Sequence, residues 1–213
     1  KRFDESVADL RESLALLVAT TSSGAGSARK RVVVWKTLGD TLFEVGRLEE
    51  ALEAYRAVCA DQAAAEELAV DGVSAFRLED RTGAWWDVAA VLRDLGRLEE
   101  AISAYACARE LHREMGGEAG ELGEADDENF IGILHRKLGQ FDAARACGLR
   151  ALRVWRQREH KYEGFALKNL ACVARERRLR REEADEVEAD VDGSGERDPG
   201  AVFRVALRLM RER

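Results

Sequence analysis

LFEVGRLEEALEAY at 42–55 and VLRDLGRLEEAISAY at 91–105 are one phrase written twice. A weaker copy, ILHRKLGQFDAARACG, runs through 133–148, and a fainter one, VARERRLRREEADEV, through 173–187. KRFDESVADL at 1–10 fits the second half of the phrase, as though the chain began just after its glycine. A recurring unit is read before any local motif, because it decides the architecture.

Each unit resolves into two helices. Before the glycine of the first full copy, Val34, Trp35, Leu38, Leu42 and Val45 form an apolar stripe at helical spacing. Gly46, Gly96 and Gly139 end that helix by tolerating a left-handed backbone. After the glycine, Leu48, Ala51, Leu52 and Tyr55 repeat the helical spacing. The small Ala51, Ala101 and Ala144 stand where two antiparallel helices come closest. Such a hairpin cannot bury its apolar faces alone and must stack on a neighbour.

The composition agrees. The chain has 213 residues, 46% hydrophobic and 35% charged, with one proline and 18 glycines. Few prolines and abundant Ala, Leu, Glu and Arg suit long helices and oppose a turn-punctuated β fold. No apolar run is long enough to span a bilayer. The chain starts without methionine, so an excised fragment with an upstream segment is an open reading.

Trp35, Leu38, Gly39, Gly46, Ala51 and Tyr55, with Trp85, Val88, Ala89, Gly96, Ala101, Tyr105 and Ala108, resemble the tetratricopeptide repeat. The third copy keeps Ile131, Gly132, Gly139, Ala144 and Ala151 but lacks the tryptophan and tyrosine. In the fourth, Leu170, Ala171 and Ala184 hold the corresponding places. The resemblance implies an all-α fold, an α-α superhelix. This is a right-handed solenoid of antiparallel helix pairs, with about four repeats and a C-terminal capping helix. The expected array spans 1–189, with a truncated first repeat at 1–27 and repeats near 32–65, 82–115, 125–158 and 164–189. The turn glycines at 46, 96 and 139 are wider apart than in the family's usual unit, which requires longer helices or larger loops. GGEAGELGEA at 116–125 reads as a flexible acidic loop, SSGAGS at 22–27 as a short loop, and Asp71-Gly72 as a break. Stretched units of this kind look like those of kinesin light chains and of bacterial regulators carrying sensor repeats.

By that resemblance the first helix of each pair lines a concave groove. Its candidate partner-binding residues are Lys36, Asp40, Trp86, Asn129, Phe130, Arg136, Lys137, Lys168, Asn169 and Arg175. Trp85 holds the core signature position. Trp86, about 100° further round the helix, faces the groove or packs beneath the following loop. Phe130 divides between groove and core. Asn169 stands where kinesin-light-chain-like repeats hold a peptide backbone; a solvated surface amide is the alternative. Asp40 would repel a terminal carboxylate, which argues against recognition of chaperone tails.

Charge is segregated. Residues 136–181 carry 14 Lys or Arg against four acids, 114–128 carry seven acids and no base, and 182–198 nine acids against one arginine. Solvated faces are one reading. The other is a basic concave end suited to an acidic peptide, over which the acidic stretch after Glu182 folds when no partner is bound. Residues 190–200 read as an acidic, glycine-bearing linker. In 201–213, Val202, Phe203, Ala206, Leu209 and Met210 share a helix face that caps the array, docks into a groove, or joins copies as a homo-oligomer.

A net charge of −7 disfavours nucleic acid as partner. Cys59, Cys107, Cys147 and Cys172 and the three histidines are isolated, so no metal site or disulfide framework is expected. No phosphate-binding, nucleophile-elbow or zinc motif occurs. The expectation is a non-enzymatic, cytoplasmic scaffold without cofactor. It binds a protein or peptide partner, and no membrane. The alternative is the ligand- or peptide-sensing repeat domain of a larger bacterial regulator.

Overall fold

The computed structural model describes residues 2–20, 25–67 and 75–189. They form eight helices: α1 (Arg2–Thr20), α2 (Ala25–Glu44), α3 (Leu48–Glu67), α4 (Leu78–Asp94), α5 (Leu98–Met115), α6 (Gly117–Lys137), α7 (Phe141–Gln157) and α8 (Glu163–Ala189). No strand occurs among the described residues. Helices adjacent in sequence pack on one another from α1 to α8, and α6 also touches α8. The result is a helical-repeat α-α superhelix in which α2/α3, α4/α5 and α6/α7 are the hairpins, whereas the stretch expected as a fourth repeat, 164–189, is the single helix α8.

The repeated phrase makes the same turn each time. Gly46, Gly96 and Gly139 sit at φ 78°, 75° and 74°, a conformation that a Cβ would strain. The following N–H groups, of Arg47, Arg97 and Gln140, donate back to the carbonyls of Leu42, Leu92 and His135, each at 2.9 Å. That closes the helix end and reverses the chain. In the two strong copies the next helix opens on one fork: Arg47 grips Glu50 at 2.6 and 2.7 Å, and Arg97 grips Glu100 at 2.7 Å twice.

Close packing follows the small residues. Ala51 and Ala101 are 0% exposed and Ala144 2%, where paired helices meet. A continuous core runs from Val7 and Leu14 of α1 through Leu38, Leu42, Leu52, Val88, Leu92 and Tyr105 to Ile131 and Leu134. A separate cluster around Trp155 seats α8 on α6 and α7. Val45, the last residue of the predicted stripe, lies in the turn and is 36% exposed.

The acidic loop expected at 116–125 is a helix. Only Gly116 and Gly117, at φ 63° and 60°, interrupt the chain, and α6 begins at once. Gly120 and Gly123 are the reason that α6 can lie against α5. A Cβ on Gly120 would stand 2.4 Å from the His112 carbonyl oxygen, and one on Gly123 2.3 Å from the His112 ring. These glycines serve close approach rather than flexibility. The wide repeat spacing reflects helices of 17 to 21 residues in the three hairpins and, between Gly46 and Gly96, the stretch 68–77 that separates α3 from α4. The Asp71-Gly72 break, residues 22–24 of the predicted short loop, the 190–200 linker and the 201–213 helix lie outside the described residues; Ala25–Ser27 belong to α2. The acidic stretch after Glu182 continues α8 as far as Ala189, so that part does not fold back.

Candidate functional site

Counting back ten residues from each turn glycine places Lys36, Trp86 and Asn129 at one position of α2, α4 and α6. The structure joins these first helices by polar bridges. Lys36 Nζ donates to Asp87 Oδ2 at 2.6 Å, linking α2 to α4. Trp86 Nε1 donates to Asp127 Oδ1 at 2.7 Å, linking α4 to α6. Asn169 Nδ2 donates to Asn129 Oδ1 at 2.7 Å, and Arg136 pairs with Glu176, both linking α6 to α8. One wall of the array is therefore stitched along its length by residues from the predicted groove.

At the centre of this wall, Trp86 meets Phe130 edge-on at 4.9 Å and Tyr105 edge-on at 5.3 Å, while Tyr105 and Phe130 stack at 5.3 Å. Beneath them Asp127, 0% exposed, also meets His112 Nδ1 at 2.7 Å. Burial pushes the Asp127 carboxyl above its usual range, against the pull of His112 and Trp86. Glu128 stands where the other copies have Trp35 and Trp85. It accepts from Arg109 of α5 at 2.9 Å and Arg150 of α7 at 2.8 Å. Burial opposes its charge, but Arg150 and its neighbours outweigh that and hold the carboxyl below its usual value.

A cleft of about 1230 Å³ opens beside the wall, between α2, α3, α4 and α6. Its sides include Val32, Val58, Phe76, Lys36, Trp86 and Asp126. Asp126 has its carboxyl raised to about 6, mainly by burial and further by Asp127, with His160 and His112 acting in the opposite direction. Asp87 is raised too, because burial outweighs the attraction of Lys36. At the far end of the array, Lys137, Lys168 and Arg175 are exposed.

Of the ten candidate residues, seven are engaged within the protein. Lys36 and Asp40 lie 3.7 Å apart, and Asp40 accepts the Tyr55 hydroxyl at 2.7 Å. Trp86 and Phe130 belong to the aromatic cluster, and Asn129, Asn169 and Arg136 to the α6–α8 bridges. Sequence reasoning placed Asp87 on the groove side of its helix but missed Asp127, Glu128 and His112. A usable signal was present: Asp127 is a carboxylate in the slot that Val34 and Ala84 fill in the other copies. No group of three or more metal-ligating side chains gathers among the described residues.

A tetratricopeptide-repeat family model matches residues 129–158. No curated protein sequence matches the chain. Among solved structures, the apo form of RapI superposes with a TM-score of 0.63 at 14% identity, covering 100% of this chain and 78% of that one. BtubC from P. vanneervenii gives 0.60 at 16% identity, covering 98% and 82%. The putative kinesin light chain repeats of Podospora anserina give 0.62 at 17% identity, covering 98% and 89%.

Proposed function

We propose that this chain, whose fold is that of a tetratricopeptide-type array, is a protein-interaction scaffold that holds a partner peptide or helix along the wall formed by α2, α4, α6 and α8. The observation that supports this most is the row of polar and aromatic side chains bridging successive first helices beside a cleft of about 1230 Å³. Amides and carboxylates spent on each other in the free protein can exchange those bonds for a ligand at small net cost, because each bond is worth only about 1 kcal/mol net.

The α6–α8 end is the basic one. Lys137, Lys168 and Arg175 project from it, and the Asn129–Asn169 pair offers donors and acceptors to an extended backbone. An acidic peptide is the ligand that these groups suit. Peptides selected on the full chain from a random library should be enriched in Asp and Glu. The double change Lys168→Glu with Arg175→Glu should weaken the best of them by about tenfold or more. Selection of neutral or basic peptides, or affinity unmoved by the double change, would refute the acidic reading.

The cleft around Trp86, His112 and Asp126 favours a second reading, a sensing domain that takes a small ligand or peptide for a neighbouring effector. Trp86 emission would then shift on titration with the ligand, and Trp86→Phe would abolish the signal.

A further inference from the structure

We propose that the groove between α7 and α8, at the end of the described array, docks an acidic amphipathic helix of a partner protein. This groove is separate from the bridged wall along α2, α4, α6 and α8. Its residues on α8, Leu170, Val173, Ala174, Arg177, Arg178 and Arg181, recur at the spacing of one helix face. Lys168 and Arg175 lie roughly opposite them at about 100° per residue. The groove holds about 440 Å³. Its floor is apolar: Leu149 from α7, itself 39% exposed, with Leu170, Val173 and Ala174 from α8.

The rim carries one sign of charge. Arg145 of α7 joins the three α8 arginines, and among the described side chains no carboxylate lines the groove. Arg177 meets Asp142 at 2.9 Å, but Asp142 is 84% exposed and is easily exchanged for another acid. Four arginines around an apolar strip, on a chain of net charge −7, are a local reversal of the molecule's field. An apolar strip rimmed by guanidinium groups matches a helix whose leucines lie between glutamates. The chain's own amphipathic segment does not match it. Residues 201–213 carry Arg204, Arg208, Arg211 and Arg213 against Glu212, so docking it here would set arginine against arginine.

The test uses the full chain and two labelled peptides of roughly 18 residues, long enough to hold helix. Both place leucine at one face; one fills the remaining positions with Glu, the other with Lys. The Glu peptide should bind, and weaken steeply as salt rises from roughly 50 to 200 mM; the Lys peptide should not bind. Arg145→Glu with Arg181→Glu should lower the affinity by about tenfold or more, and Leu149→Glu should do the same from the floor. All three positions are exposed, so the variants should keep the wild-type circular dichroism melt. Lys168→Glu with Arg175→Glu should leave this binding unchanged, which separates it from the site proposed on the wall. Equal binding of the two peptides, or indifference to the Arg145 and Arg181 changes, would overturn the proposal. So would binding that emerges only after residues 201–213 are removed, since the chain's own segment would then be the occupant.

Discussion

Asp127 is the residue on which three helices converge. It is wholly buried, ionisable, and held by an indole N–H from α4 and an imidazole from α5. Removing one partner of a buried polar set leaves the others without compensation. Asp127→Ala should therefore cost about 3 kcal/mol in urea unfolding, whereas Asp127→Asn, which keeps an acceptor, should cost less. Its neighbour should behave with the opposite sign. The Asp126 carboxyl is raised from 3.8 to about 6 in the folded chain, so the native state binds the proton more tightly than the unfolded one. Its ionisation thus takes stability away as pH rises between those values, and below them the penalty is absent. Asp126→Asn should stabilise the protein above pH 6, by about 1 kcal/mol after solvent screening, with the gain vanishing towards pH 4. A flat difference between variant and wild type across pH would contradict this.

At the scale of elements, glycines that look alike in sequence have opposite roles. Gly120 lies in α6 against the α5 backbone, where a Cβ would collide with the His112 carbonyl. Gly120→Ala should force the helices apart and destabilise by about 2 kcal/mol, as overpacking does. Gly83 lies within α4, exposed, with nothing within 4 Å of the place a Cβ would take. Gly83→Ala should stabilise by about 1 kcal/mol through helix propensity alone. Thermal melts of the two variants should move in opposite directions. The GRLEEA phrase explains why α3 and α5 start alike: glycine turn, bidentate Arg–Glu fork and close-contact alanine all lie within a few residues. In the third copy GQFDAA keeps the turn and the alanine, and His135 Nδ1 lies 2.6 Å from Gln140 Oε1 where the others have the fork.

Across the whole molecule, stability should be graded. In a stacked array each hairpin is held mainly by its neighbours, so units with neighbours on both sides open last. The largest core cluster is centred on α3 to α5. Phe3, Leu16 and Val18 of α1 and Phe165 and Leu167 of α8 remain exposed at the two ends. Native-state hydrogen exchange should find the strongest protection in α4 and α5 and the weakest in α1 and α8. Uniform protection would mean that the array unfolds as one block. No described helix is long and apolar enough to cross a membrane.

The hairpin unit, the turn glycines, the contact alanines and the superhelical class were legible in the sequence by itself. Each depends on residues within one repeat, where helix period and turn geometry act locally. The helical 116–125 was not legible, because the use of Gly120 and Gly123 becomes visible only when α5 lies against them. Nor was the wiring of the wall. Lys36 and Asp87 are 51 positions apart, Trp86 and Asp127 41, and Asn129 and Asn169 40. Periodicity places such residues on a face, but it does not set the lateral distance and rotation between neighbouring hairpins. Those follow from how apolar faces of particular volume pack, and only the tertiary structure decided that the candidate groove residues hold one another in the free protein.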